Sequence, residues 1–154
     1  MKRFNLFSII VLSLIVSSCG KLKQNTATVA LSNDVYAAGE NLYYRFNITD
    51  TSKAYKIYFT SRFSGRYIMK ALPLSLLYIS PEGKRFADTL NLNLNEGDFN
   101  TEYLKNGVWR DYRWLYRDGA VFPEKGIWLV SVKNMHFKNL SGIKELGISL
   151  KEKR

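Results

Sequence analysis

The chain has 154 residues, 46% hydrophobic and 14% aromatic, with 23 Lys and Arg against 13 Asp and Glu and a formal net charge of +10. That composition excludes an intrinsically disordered chain. One cysteine and one histidine exclude a disulfide framework and a Cys/His zinc cluster.

Lys2 and Arg3 form a short positive start, and residues 4–16 are an apolar run. Val16-Ser17-Ser18 then leads into Cys19, the only cysteine. This order is the secretory signal pattern. With cysteine directly after the small residues it looks like a bacterial lipobox, in which the thiol takes a diacylglycerol before cleavage. A membrane-spanning helix needs about 20 apolar residues, and this run is shorter and broken by Asn5, Ser8 and Ser13. Two or more acyl chains anchor a protein stably where one does not, so the mature chain is expected to sit on a membrane without crossing it.

Removing the first eighteen of 154 residues leaves 136, a length suited to one domain with its own core. The expected organisation is a signal peptide at 1–18, a lipid-anchored tether at 19–28 and a single domain at 29–154. Behind Cys19, Gly20-Lys21-Leu22-Lys23 has no aspartate of the kind that retains proteobacterial lipoproteins in the inner membrane. It also lacks the acidic residues that follow the cysteine in surface-exposed lipoproteins of the Bacteroidetes. The periplasmic face of the outer membrane is the expected location.

Past the tether, period two dominates and argues for strands. Residues 26–31 make a first strand. After the turn at Ala38-Gly39-Glu40-Asn41, Leu42, Tyr44, Phe46 and Ile48 alternate with Tyr43, Arg45 and Asn47. Tyr55, Ile57, Phe59, Ser61 and Phe63 form the next face. Residues 71–80 are more continuously apolar, as a central strand would be, which puts Pro73 near the strand's start because proline cannot donate to a ladder. Pro81-Glu82-Gly83-Lys84 is a tight turn, and Phe86, Asp88, Leu90, Leu92 and Leu94 then share one face, with Asp88 the exception in an apolar row. Residues 95–108 read as a long loop.

Alternation resumes from Trp109, with Tyr112, Trp114 and Tyr116 on one side and Arg113, Leu115 and Arg117 on the other. A turn at Phe122-Pro123-Glu124-Lys125-Gly126 precedes Trp128, Val130 and Val132. A short helical piece is expected around 135–140, and Leu146, Ile148 and Leu150 end the chain as a strand. About eight strands without a useful helical period imply an all-β, antiparallel β-sandwich, immunoglobulin-like or jelly-roll-like.

Three stretches carry a family resemblance: Ile79-Ser80-Pro81-Glu82-Gly83-Lys84 with Asp88-Thr89-Leu90, then Val121-Phe122-Pro123-Glu124-Lys125-Gly126-Ile127-Trp128, then Asn139-Leu140-Ser141-Gly142 through Leu146-Gly147-Ile148. In this order they resemble the gliding-motility lipoprotein H family of the Bacteroidetes. The resemblance implies an accessory component of the gliding apparatus, linked to type IX secretion, without a defined biochemical activity.

Little in the sequence suggests catalysis. His136, between Met135 and Phe137, would have to serve any Ser-His-Asp arrangement. Asp88, Asp98, Asp111 and Asp118 show no spacing that brings a carboxylate pair together. No catalytic residue, metal or cofactor is expected. The basic residues are scattered, the only run being Lys151-Glu152-Lys153-Arg154, and a nucleic-acid partner is not expected of an exported lipoprotein.

The aromatic stretch 109–116 is the best candidate for a binding surface, since such side chains anchor protein interfaces or stack on sugars. Period two turns Tyr112, Trp114 and Tyr116 more readily into a core. Trp109, Arg110, Arg113 and Arg117 are therefore the candidate partner-binding residues, with Cys19 as the lipidation site. Asp88-Thr89-Leu90 also fits an Asp-Thr-aliphatic pattern that some Bacteroidetes glycosylate. The expected function is protein–protein contact in an envelope complex. A carbohydrate-binding lipoprotein of a glycan-uptake system is the alternative, and an exposed planar row of Tyr and Trp would favour it.

Overall fold

Alternating apolar side chains close into two facing sheets in the computed structural model, which describes residues 25–95 and 100–153. Eleven strands form among these residues: β1 (Thr26–Ala30), β2 (Val35–Tyr36), β3 (Asn41–Ile48), β4 (Ala54–Ser64), β5 (Ala71–Ile79), β6 (Arg85–Asn93), β7 (Thr101–Asn106), β8 (Trp109–Val121), β9 (Gly126–Asn134), β10 (Leu140–Ser141) and β11 (Ile143–Glu152). One sheet runs β1-β11-β4-β8-β7 and the other β3-β9-β5-β6, while β10 and β2 pair as a small separate ribbon. All pairings are antiparallel.

The pairs are nested. β5 pairs with β6, β4 with β8 outside them, β3 with β9, and β1 with β11 outermost, alternating between the sheets. That wrapping is the jelly roll, one of the two sandwich forms expected. Eight strands carry it, and β2, β7 and β10 bring the count to eleven where about eight were expected.

The rows read from sequence face inward. Leu42, Tyr44, Phe46 and Ile48 are buried in β3, as are Tyr55, Ile57, Phe59, Ser61 and Phe63 in β4. Buried phenols are tied to backbone oxygens: the Tyr44 hydroxyl donates to the Leu146 carbonyl at 2.8 Å, joining the sheets, and that of Tyr36 to Val132 at 2.8 Å. Burial pushes both phenols far above the usual tyrosine range. In β5, the ladder with β9 starts at Leu74. Pro73 therefore lies just outside it, and its carbonyl accepts from Met135 N–H.

Three expectations need correction. Residues 26–28 belong to β1, so the tether ends before Thr26. The stretch 95–108 contains β7, joined to β8 by a two-residue turn in which Gly107 has φ +60°. Residues 135–139 are not helical and lead directly into β10.

Two ends result. The chain enters at Thr26 beside Ser149, near the end of β11 and the turns β3–β4, β5–β6 and β8–β9. The opposite end carries the β4–β5 loop, the β7–β8 turn and the β9–β10 connection. There the Ser64 N–H donates to the Gly142 carbonyl and the Gly142 N–H to Asp34, both at 2.8 Å. Gly142 has φ +89°, and a Cβ would run into the Tyr67 backbone nitrogen. Gly83, at φ +86°, has open space around it. Gly142→Ala should therefore cost more than about 2 kcal/mol, against about 1 kcal/mol for Gly83→Ala, where only backbone strain applies. Urea unfolding of the two variants measures the difference.

Candidate functional site

Strand β8 holds all four candidate contact residues, and its register separates them. Arg110, Tyr112 and Trp114 pair with Phe63, Ser61 and Phe59 of β4 and so point into the sandwich. Tyr112 and Trp114 are buried, their rings stacked at 5.3 Å. The Trp114 indole N–H donates to the Asn93 carbonyl at 2.7 Å, and the Tyr112 hydroxyl to that of Leu94 at 3.1 Å. Arg110 lies on the same side. Its guanidinium donates to the Tyr67 and Ser64 carbonyls at 3.0 and 3.2 Å.

Trp109 and Arg113 take the outer face. The Lys144 ammonium lies 4.7 Å from the Trp109 ring centre. The Arg113 guanidinium sits 3.8 Å over Tyr58 and pairs with Glu102 at 3.1 Å. Arg117 departs from the simple alternation. Ile57 pairs with Arg117 but Tyr58 with Leu115, leaving Tyr116 as an extra residue, and Gly119 is extra in the same way between Asp118 and Ala120. Such bulges bend a strand and re-aim its side chains. Tyr116 and Arg117 both turn towards Asp88 of β6, in the other sheet. Arg117 thus leaves the outer face expected for it.

These side chains edge a cleft of ≈ 520 Å³ between β6 and the second half of β8, where β7 has already ended. Its volume falls within the range of small-ligand sites, roughly 300–1,000 Å³. Phe86, 47% exposed, stacks on the buried Trp128 at 6.0 Å, and Phe122 meets Trp128 edge-on at 5.1 Å. At the mouth, Asp88 accepts from the Tyr116 hydroxyl and from Arg117 at 2.7 Å, while its other oxygen takes the Thr89 N–H at 2.8 Å. These partners, the Tyr116 hydroxyl first, hold the Asp88 carboxyl below the usual carboxylate range. Burial, then the Asp88 carboxylate, raises the Tyr116 phenol. Thr89 itself is solvent-exposed on the edge strand.

The cleft was not assembled from the sequence, since its walls come from segments far apart in the chain. The available signal was Asp88 standing in an apolar row. The other carboxylates are engaged separately, Asp111 with Arg62 at 2.5 Å and Asp118 with Lys153 at 3.1 Å. Asp98 and Cys19 lie outside the described residues. His136 stacks on Phe137 at 4.6 Å, and its Nδ1 accepts from the Lys138 N–H at 3.2 Å. No helix among the described residues is long and apolar enough to cross a membrane.

The described residues fold as a β-rich jelly roll from Thr26 onward. The profile of the GldH lipoprotein family matches residues 24–150. The chain belongs to that family of gliding-motility-related lipoproteins, and membership carries lipid-anchored membrane association with it. None of the curated protein sequences matches it. Among solved structures it is similar to TmCBM61 in complex with beta-1,4-galactotriose, at 11% identity and TM-score 0.38 over 85% of this chain and 84% of that one. It is also similar to the enzymatically active domain of Bacteriophage CBA120 tailspike protein 4, at 12% identity and TM-score 0.36 over 83% of this chain and 18% of that one.

Because the Asp88 pKa is depressed in the fold, its stabilisation is present above the unfolded carboxylate range and is lost as pH falls through the folded value. Tyr116→Phe should cost about 1–2 kcal/mol at neutral pH, as expected for a half-exposed hydrogen bond to a charged group. The cost should shrink once Asp88 is protonated. Denaturant titrations at pH 7 and in acid check this, and a cost unchanged with pH would contradict it.

Proposed function

We propose that this protein is a periplasm-facing outer-membrane lipoprotein, anchored through Cys19, that acts as a non-enzymatic accessory component of the gliding and type IX secretion machinery by contact with other proteins. The observation that carries this reading is the direction of the β8 aromatics. Tyr112 and Trp114 are buried and bonded to the carbonyls of Leu94 and Asn93, so they offer no planar platform for a sugar. The polar groups at the cleft mouth are engaged with one another, and Asp88 already accepts three hydrogen bonds. His136 lies in a connecting segment, against Phe137 and the backbone of Lys138. Such an environment positions no nucleophile or proton acceptor for catalysis.

Paired chromosomal variants in the host provide the test. His136→Ala should leave motility or secretion close to wild type, because no proton transfer is removed. Cys19→Ala should abolish labelling by a fatty-acid probe and reduce the phenotype, because the chain holds no other thiol for the lipid. Loss of function in His136→Ala at normal abundance, or lipid labelling that persists without Cys19, would overturn the reading.

A further inference from the structure

The two broad faces of the sandwich differ in chemistry. Outward side chains of the five-stranded sheet mix both signs, with Glu102, Asp111 and Glu145 beside Arg62 and Arg113. These arginines are engaged, Arg62 with Asp111 and Arg113 with Glu102. Among the described residues, the outward face of β3-β9-β5-β6 carries no carboxylate. Its cations are Arg45, Arg85 and Lys133, all exposed, and none pairs with a carboxylate among the described residues.

Register places apolar groups between these cations. One level across the sheet runs Arg45, Leu129, Ile79, Arg85, so two aliphatic side chains separate two guanidinium groups. The next level runs Tyr43, Ser131, Leu77, Ala87, and Ile127 lies on the other side of the arginine level. Tyr43 and Ile127 are each 60% exposed. The core needs none of these groups, because the inward side chains of the same strands complete it. Residues 71–80 read as continuously apolar for this reason: Leu77 and Ile79 of β5 face outward while Leu72, Leu74 and Leu76 are buried. The solvated face of an antiparallel sheet is ordinarily polar, and a contiguous apolar patch on it marks an interaction site.

The charges and the anchor select the occupant. Aliphatic and aromatic groups flanked by cations suit a lipid headgroup layer, where arginine stems cover apolar surface and their heads reach phosphate. A second copy of the chain docked face to face would set cation against cation. The lipid anchoring of the family already holds a bilayer beside this chain. Six residues separate Cys19 from Thr26, a reach of about 20 Å. β1 lies against β3 across the sandwich, and stacked sheets are about 10 Å apart. The tether is therefore long enough for a bilayer resting on this face.

We propose that the outward face of the four-stranded sheet is a membrane-contact surface that lays the domain flat on anionic phospholipid. Tyr43, Ile127 and Leu129 enter the headgroup layer, and Arg45, Arg85 and Lys133 meet lipid phosphates. The five-stranded sheet then faces away from the bilayer, open to protein partners. The inference rests on the Cys19 anchor of the proposed function and adds the orientation of the domain.

The test uses the full-length lipidated protein, reconstituted in vesicles of phosphatidylethanolamine with phosphatidylglycerol. Lipidation occupies Cys19, so one introduced cysteine carries a fluorophore alone: Tyr43→Cys or Ile127→Cys on this face, Leu104→Cys on the other. All three side chains are exposed, so folding should be kept. A nitroxide on the lipid headgroups should quench the labels at Tyr43→Cys and Ile127→Cys several-fold more than that at Leu104→Cys. Arg45→Gln with Arg85→Gln should lower the ratio of docked to undocked domain about thirtyfold, at about fivefold for each cation. Raised salt should weaken docking as well. Equal quenching on both faces, or docking that ignores the arginine changes, would overturn the proposal while the chain still floats with the vesicles. Loss of co-flotation would contradict the Cys19 anchor itself, and the proposal with it. No quenching at any of the three, with the Tyr43→Cys label shielded in host envelopes, would assign this face to a protein and overturn the proposal.

Discussion

The sandwich depends on how β8 closes its open side. β6 is an edge strand, and its outward carbonyls would otherwise invite another chain to pair. Trp114 and Tyr112 instead bring their own donors across the gap to Asn93 and Leu94, at the end of β6. The two rings stack and meet Phe63 edge-on, so one pair of side chains fills the core and binds the sheets together. Arg110 continues the row by holding the β4–β5 loop.

Beyond Trp114 the same strand changes task. The extra residues Tyr116 and Gly119 bend it away from a regular ladder, and the sheets part to leave the cleft beside Phe86. Asp88, Tyr116 and Arg117 bridge that gap with hydrogen bonds where Trp114 bridged it with packing. The polar cluster that most resembles a reactive site is in this account an inter-sheet clamp. Its members satisfy one another, as buried and half-buried polar groups must.

The inward rows of β3 and β4 were legible because each repeats an apolar residue every second position without interruption. The turns at Pro81-Glu82-Gly83-Lys84 and Phe122-Pro123-Glu124-Lys125-Gly126 carried the right residues in the right order. β7 was hidden because only Tyr103 and Thr101 of its inward row are partly buried, so a weakly amphipathic edge strand reads as loop. The bulges were hidden for another reason: an inserted residue reverses the facing of the residues after it without altering composition, and Arg117 changed side as a result. Met135, His136 and Phe137 suggested a helix by local composition. In the fold they form a connection whose apolar side chains of Met135 and Phe137 are exposed.

The central claim is that this lipoprotein works by being held in a protein assembly. Native electrophoresis of detergent-solubilised envelopes, with detection of the full-length wild-type chain, tests it most directly. The account predicts migration in a complex well above the size of the 17.8 kDa chain, giving way to the free lipoprotein as ionic strength rises. Migration as the free lipoprotein at every ionic strength, in cells whose motility or secretion requires the protein, would contradict it.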